Sequence, residues 1–173
     1  MPPYYDIYGI SQKRDKETIE RFLDFFAERE MIENREDQEI YVMNNEKYGT
    51  KEVLISINTL SEVIEYGVNN QDSGFVFYIG DYLKDVDHII LKFTYDRKII
   101  FGISVEEKIF RNNQLIDNYT KAKKVEDLIL QLTSAYKTSI QFEFPPADDE
   151  EEFDESIEMW RNMNESKKIG FHQ

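Results

Sequence analysis

Two runs of alternating apolar residues flank Asp96-Arg97. Ile89, Leu91, Phe93 and Tyr95 share one face of the first, and Ile99, Phe101, Ile103 and Val105 share one face of the second. A period of two is the strand signature, and the polar break between the runs predicts an antiparallel hairpin whose apolar side lines a core. Tyr4 to Ile10, Ile40 to Met43, Val53 to Ile57, Phe75 to Ile79 and Ser139 to Phe144 are β-branched and aromatic in the same way and predict further strands. Pro145-Pro146 ends the last of these, because proline cannot donate to a ladder.

Elsewhere the period changes to that of a helix. Behind Asp15, a plausible N-cap, Ile19, Phe22, Leu23, Phe25 and Phe26 recur at helical spacing, which predicts a helix over residues 16 to 30, followed by a polar connection through MIENREDQE. Thr59 and Glu62 have the spacing of a capping box, with Gly67 as the expected stop. Ala122, Val125, Leu128, Ile129, Leu132 and Tyr136 form one stripe of a helix over 121 to 137. Residues 106 to 119 are ambiguous, a short strand pair around Asn112-Asn113 being one reading. The fold class expected is α+β: an antiparallel or mixed sheet of five to six strands with helices on one face, plus a C-terminal helix. Residues 1–146 form a single domain in this reading, and residues 147–173 an acidic segment leading into an amphipathic helix or tail.

Charge sharpens the picture. The 173 residues carry 35 acids and 21 bases, and eight acids crowd the eleven positions from Asp148 to Glu158, just before the only tryptophan, Trp160. Carboxylates suit a helix N-terminus, so Asp148 to Glu152 are expected as a flexible run that enters a helix with Phe153, Ile157, Trp160 and Met163 on one face. Such a field repels phosphate backbones and anionic lipid. A basic protein is therefore the expected partner, without direct nucleic-acid or membrane binding. The candidate partner-binding residues are Asp148, Asp149, Glu150, Glu151, Glu152, Asp154, Glu155 and Trp160. Met1 to Ile10 lacks the flanks of a signal peptide, so a cytoplasmic location is expected.

Catalytic chemistry is sparse. There is no cysteine, and GxSxG, P-loop, GxGxxG and HExxH motifs are missing. Asp85, Asp87 and His88 in DVDH offer three ligand-type side chains, but in a continuous strand alternation sets His88 opposite the two acids. His172 lies at the chain end. Acid pairs such as Glu33 with Asp37, or Glu106-Glu107, are what a charge-dense surface produces by chance. No enzyme activity, metal or cofactor is expected; a metal-dependent enzyme using these acids, or a nucleic-acid mimic, is the alternative. Lys121, Lys123 and Lys124 crowd a helix start, where cations oppose the dipole; they either contact an anion or pair with neighbouring acids. Tyr4, Tyr5, Tyr8, Tyr41, Tyr48 and Tyr82 lie near strand ends or loops and form a candidate exposed aromatic set.

The stretches DIYGISQKRDKETIERFLDFFAERE, KFTYDRKIIFGISVE and YKTSIQFEFPP resemble small, acidic, mostly uncharacterised bacterial immunity-type proteins encoded beside polymorphic toxins. The resemblance covers most of residues 5 to 146 and lies in hydrophobic pattern and turn residues. It implies an inhibitor that neutralises a basic toxin or nuclease by occlusion, and it carries no site residues with it.

Overall fold

The computed structural model of the chain describes residues 3–44 and 52–172. Strands β1 (Tyr4–Ser11), β2 (Asn34–Asn44), β3 (Glu52–Thr59), β4 (Ser73–Ile79), β5 (His88–Phe93), β6 (Ile99–Glu106), β7 (Lys108–Arg111), β8 (Gln114–Asp117) and β9 (Lys137–Phe142) alternate with helices α1 (Lys16–Phe26), α2 (Leu60–Asn69), α3 (Tyr119–Thr133) and α4 (Glu150–His172). Seven strands make one sheet in the order β3-β2-β4-β5-β6-β1-β9, and β7-β8 form a separate ribbon. Every pairing is antiparallel. The class is α+β, as the alternation predicts.

The sheet exceeds the expected five or six strands because all seven alternating runs join it, and the polar stretch before Ile40 is strand rather than connection. β2 begins at Asn34, with a register irregularity between Asn34 and Gln38, and Asp37 takes a positive φ of 59°. A bulge of this kind breaks the alternation that would reveal a strand. Asn112 and Asn113 both have positive φ, the geometry of a two-residue hairpin turn, and close β7 on β8.

One face of the sheet is the main core. Tyr5, Ile7, Ile89, Leu91, Phe93, Phe101, Ile103 and Ile140 pack there against Ile19, Phe22, Leu23 and Phe26 of α1, Leu60, Val63 and Ile64 of α2, and Ala122, Val125 and Ile129 of α3. Arg14 is buried beneath this layer. Its guanidinium donates to the carbonyls of Gly67, Asn70, Ser73, Thr94 and Lys98 and lies 5.1 Å from the centre of the Phe93 ring. Burial lowers its pKa to about 10, which leaves it charged at neutral pH. It supplies the cation that the last turn of α2 lacks and satisfies the carbonyls freed at that helix end.

Gly67 does not stop α2, which runs on to Asn69; it sits inside the helix because a Cβ there would meet the Phe93 ring at 2.2 Å. Helix propensity alone favours Gly67→Ala by up to about 1 kcal/mol, but overpacking against a fully buried ring costs about 1–3 kcal/mol. Chemical denaturation is expected to show Gly67→Ala less stable than wild type.

Candidate functional site

Among the described residues, α4 and the segment that leads into it cover the second face of the sheet, and only in part. Tyr8, Ile10, Ile90 and Ile100 form a smaller cluster there with Ala147 and Phe153, flanked by Val76 and Ile157. Further along, α4 leaves this face: Met163 packs on the main core and Lys167 binds Asp117, which also accepts from the Tyr5 hydroxyl. The helix thus docks on its own domain across the β9 side of the sheet.

The acidic start of α4 is pinned, not free. Asp148 pairs at 2.8 Å with Lys92, a lysine only 7% exposed on the second face. Glu150 meets Lys98 (3.2 Å) and Lys137 (3.4 Å) and accepts from the Tyr136 hydroxyl (2.5 Å), while Asp154 pairs with Lys137 at 2.7 Å. Asp149 caps the helix by accepting from Glu152 N–H, and Asp96 of the β5–β6 turn accepts from Glu150 N–H. The expectation of a flexible Asp148 to Glu152 run is corrected by these bonds, for which the partners Lys92, Lys98 and Lys137 are remote in sequence. Glu151 and Glu155 pair with no base among the described residues; with Asp149, Glu152, Phe144 and Met159 they line a shallow groove. Trp160 lies edge-on to Phe144, ring centres 5.9 Å apart, and holds the helix to the strap that follows β9.

What α4 does not cover is the candidate site. Cross-strand register sets His88, Ser104 and Asp6 in one row on β5, β6 and β1. The Ser104 hydroxyl donates to Asp6 at 2.6 Å and Phe144 N–H donates to the other carboxylate oxygen at 3.0 Å. Burial, against these two hydrogen bonds, raises the Asp6 pKa. The Tyr8 ring lies across Gly102, where a Cβ would come within 2.7 Å of it, and the Tyr8 hydroxyl donates to Phe144 O at 2.6 Å. Glu143, in left-handed backbone at φ 46°, donates its N–H to Tyr4 O and turns the strap over the sheet. The result is a pocket of about 310 Å³ lined by Tyr4, Asp6, Tyr8, Tyr78, His88, Ile90, Ser104 and residues 143–145. It abuts the acidic groove of α4, since Phe144 lines both. Tyr78 of its wall is 52% exposed, and beyond the pocket Tyr41 and Leu54 stand 59% and 50% exposed on the same face, opposite each other across β2 and β3.

His88, Ser104 and Asp6 do not make a nucleophilic relay. Such a relay needs the serine hydroxyl to donate to the imidazole, and here it donates to the carboxylate, while His88 packs its ring edge-on to Tyr4 at 5.1 Å. Nor does DVDH come together: Asp85 pairs with Lys121, Asp87 accepts from Glu106 N–H, and the strand starts only at His88. Among the described residues no cluster of three or more histidines, aspartates and glutamates is arranged for a metal. Lys123 pairs with Glu126, so two of the three helix-start lysines have acidic neighbours. Of the expected aromatic set Tyr5 and Tyr8 are buried, Tyr41 and Tyr82 are exposed, and Tyr48 lies outside the described residues. Asp6, Ser104, Tyr78 and Glu143 carried no sequence signal, because strand register brings the first three together and the strap after β9 adds Glu143.

The geometry defines the class: an α+β protein with one sealed sheet face and one half-open, acid-rimmed face. Comparison with protein-family models, curated proteins and solved structures returns no match. No helix among the described residues is long and apolar enough to cross a membrane.

Trp160 serves as both staple and reporter. Its indole Nε1 is buried without an acceptor, so the ring contributes packing alone. Trp160→Phe is expected to change stability little, and Trp160→Ala to cost about 2 kcal/mol or more, read as a fall in melting temperature. Acid should loosen the same helix. The Tyr136 hydroxyl, with Lys98 and Lys137, holds Glu150 below its ordinary 4.5; at Asp117 burial opposes the charge, but hydrogen bonds from Lys167, Tyr5 and Tyr119 N–H outweigh it and hold the group below 3.8. Their stabilisation is full above those ordinary values and is lost as pH falls through the lowered ones. Asp6 acts in reverse, its penalty easing as pH falls through its raised value. Trp160 fluorescence is expected to report α4 release below pH 4.5 before far-ultraviolet dichroism reports loss of the sheet.

Proposed function

We propose that this protein is a non-enzymatic binding module for a basic protein, and that the partner docks on the uncovered half of the second sheet face. The observation that carries the reading is the union of exposed Tyr78, Tyr41 and Leu54 with the adjoining pocket and acidic groove on one surface. Aromatic residues supply contact area at low entropy cost, and a rim of unpaired acids at Glu151 and Glu155 steers a cationic partner and sets its register. The likeness to immunity-type proteins extends the reading to an inhibitor that occludes a basic toxin or nuclease. Nucleases are cationic where they grip phosphate, which is the surface an acidic inhibitor would cover.

A nucleic-acid mimic needs an unbroken track of carboxylates. Asp148, Glu150 and Asp154 are neutralised by Lys92, Lys98 and Lys137, which supports a local rim around an aromatic centre instead.

The test is affinity capture from the source cells with three baits. Wild type is expected to retain a specific basic protein. Tyr78→Ala should lose it through faster dissociation, by a factor of about 30 for an anchor worth about 2 kcal/mol. Glu151→Gln with Glu155→Gln should slow association and flatten its salt dependence, with dissociation little changed. Retention of no basic protein, or equal retention and kinetics with all three baits, overturns the reading.

A further inference from the structure

Besides its tyrosines, the ionisable groups that line the second-face pocket are Asp6, Glu143 and His88, and no lysine or arginine lines it among the described residues. Asp87 and Glu106 add to the negative field around Tyr4. Three tyrosines, Tyr4, Tyr8 and Tyr78, furnish aromatic surface. Asp6 is 9% exposed, and its carboxyl takes one hydrogen bond on each oxygen, from Ser104 and from Phe144 N–H. A carboxylate offers about four lone-pair sites in all, so each oxygen has capacity for a further donor.

A buried, incompletely bonded carboxylate among aromatic rings has a particular complement. We infer that this pocket receives one guanidinium group, the arginine side chain of the basic partner, and the assignment rests on the binding-module reading above. A planar guanidinium gives two parallel hydrogen bonds to a carboxylate while its faces stack on tyrosine, and it sheds water more readily than an ammonium. A lysine ammonium is a compact, strongly hydrated charge and gains less from the same walls. About 310 Å³ is the low end of ligand pockets and suits one side chain rather than a folded element. Because Phe144 lines both features, an arginine seated here sets the next residues of its chain over the groove of Glu151 and Glu155. The pocket thereby fixes register, and the groove answers neighbouring positive charge.

The experiment titrates the full chain with N-acetylarginine N-methylamide and its lysine and citrulline counterparts, read by backbone and aromatic nuclear magnetic resonance. The arginine compound is expected to give saturable shifts at Tyr4, Asp6, Tyr78, His88 and Ser104, with affinity about tenfold above the lysine compound. Citrulline, equal in shape but uncharged, should give no saturable change. Glu143→Gln and Tyr78→Ala alter exposed side chains and should each weaken arginine binding by about threefold or more; an unchanged amide spectrum elsewhere reports that the fold is kept. Shifts spread evenly along α4, equal binding of the lysine compound, or indifference to both variants overturns the inference. The two proposals fail separately: capture of a basic protein without arginine uptake refutes the pocket alone, and arginine uptake without any captured basic protein refutes the binding module.

Discussion

A sheet has two faces, and this chain supplies three amphipathic helices to one of them and part of one helix to the other. α1, α2 and α3 seal the first face with a continuous core that Arg14 ties to the strand ends. The second face is left to α4, whose apolar side is only a few residues long before the helix departs across the β9 side. The strands nevertheless carry exposed Tyr78, Tyr41 and Leu54 on the remainder. Exposed apolar residues mark an interaction site when they form a patch rather than stand singly, and the candidate site is placed here because Tyr78, Tyr41 and Leu54 share this face with the pocket and the acidic groove.

The same helix solves a charge problem. Asp148, Glu150 and Asp154 turn toward Lys92, Lys98 and Lys137, so the densest acid run in the chain docks on a basic strip of its own domain. Ion pairs as exposed as several of these contribute little each; their value is in fixing how α4 lies, with Phe153 and Trp160 supplying the packing. Asp149, Glu151, Glu152 and Glu155 of this run pair with no base among the described residues, and they lie together next to the pocket rather than spread along a tail.

Much of the fold was legible in the chain because one face of each central strand is uniformly apolar. Ile89, Leu91 and Phe93, and Ile99, Phe101 and Ile103, all lie in the core where alternation put them. The Thr59 cap was legible too, since its hydroxyl accepts from Glu62 N–H at 3.1 Å. The second face was not. Its polar row of His88, Ser104 and Asp6 is assembled from three strands distant in sequence, and each residue alone reads as a solvent-facing strand position. Gly67 was misread because a glycine that makes room for Phe93 resembles one that ends a helix. The aromatic set was only partly right, since Tyr5 and Tyr8 are core, Tyr41 and Tyr82 are exposed, and Tyr78, exposed in mid-strand, lay outside it.

The most direct test of the account is site-specific photo-crosslinking in the source cells. A photoreactive amino acid is introduced in place of Tyr78 or Tyr41 on the open face, and in place of Phe25 or Leu130, which are exposed on the helices behind the first face. The account predicts that positions 78 and 41 trap the same basic protein and that positions 25 and 130 do not. Trapping from the helical positions alone would place the partner on the sealed side and contradict it.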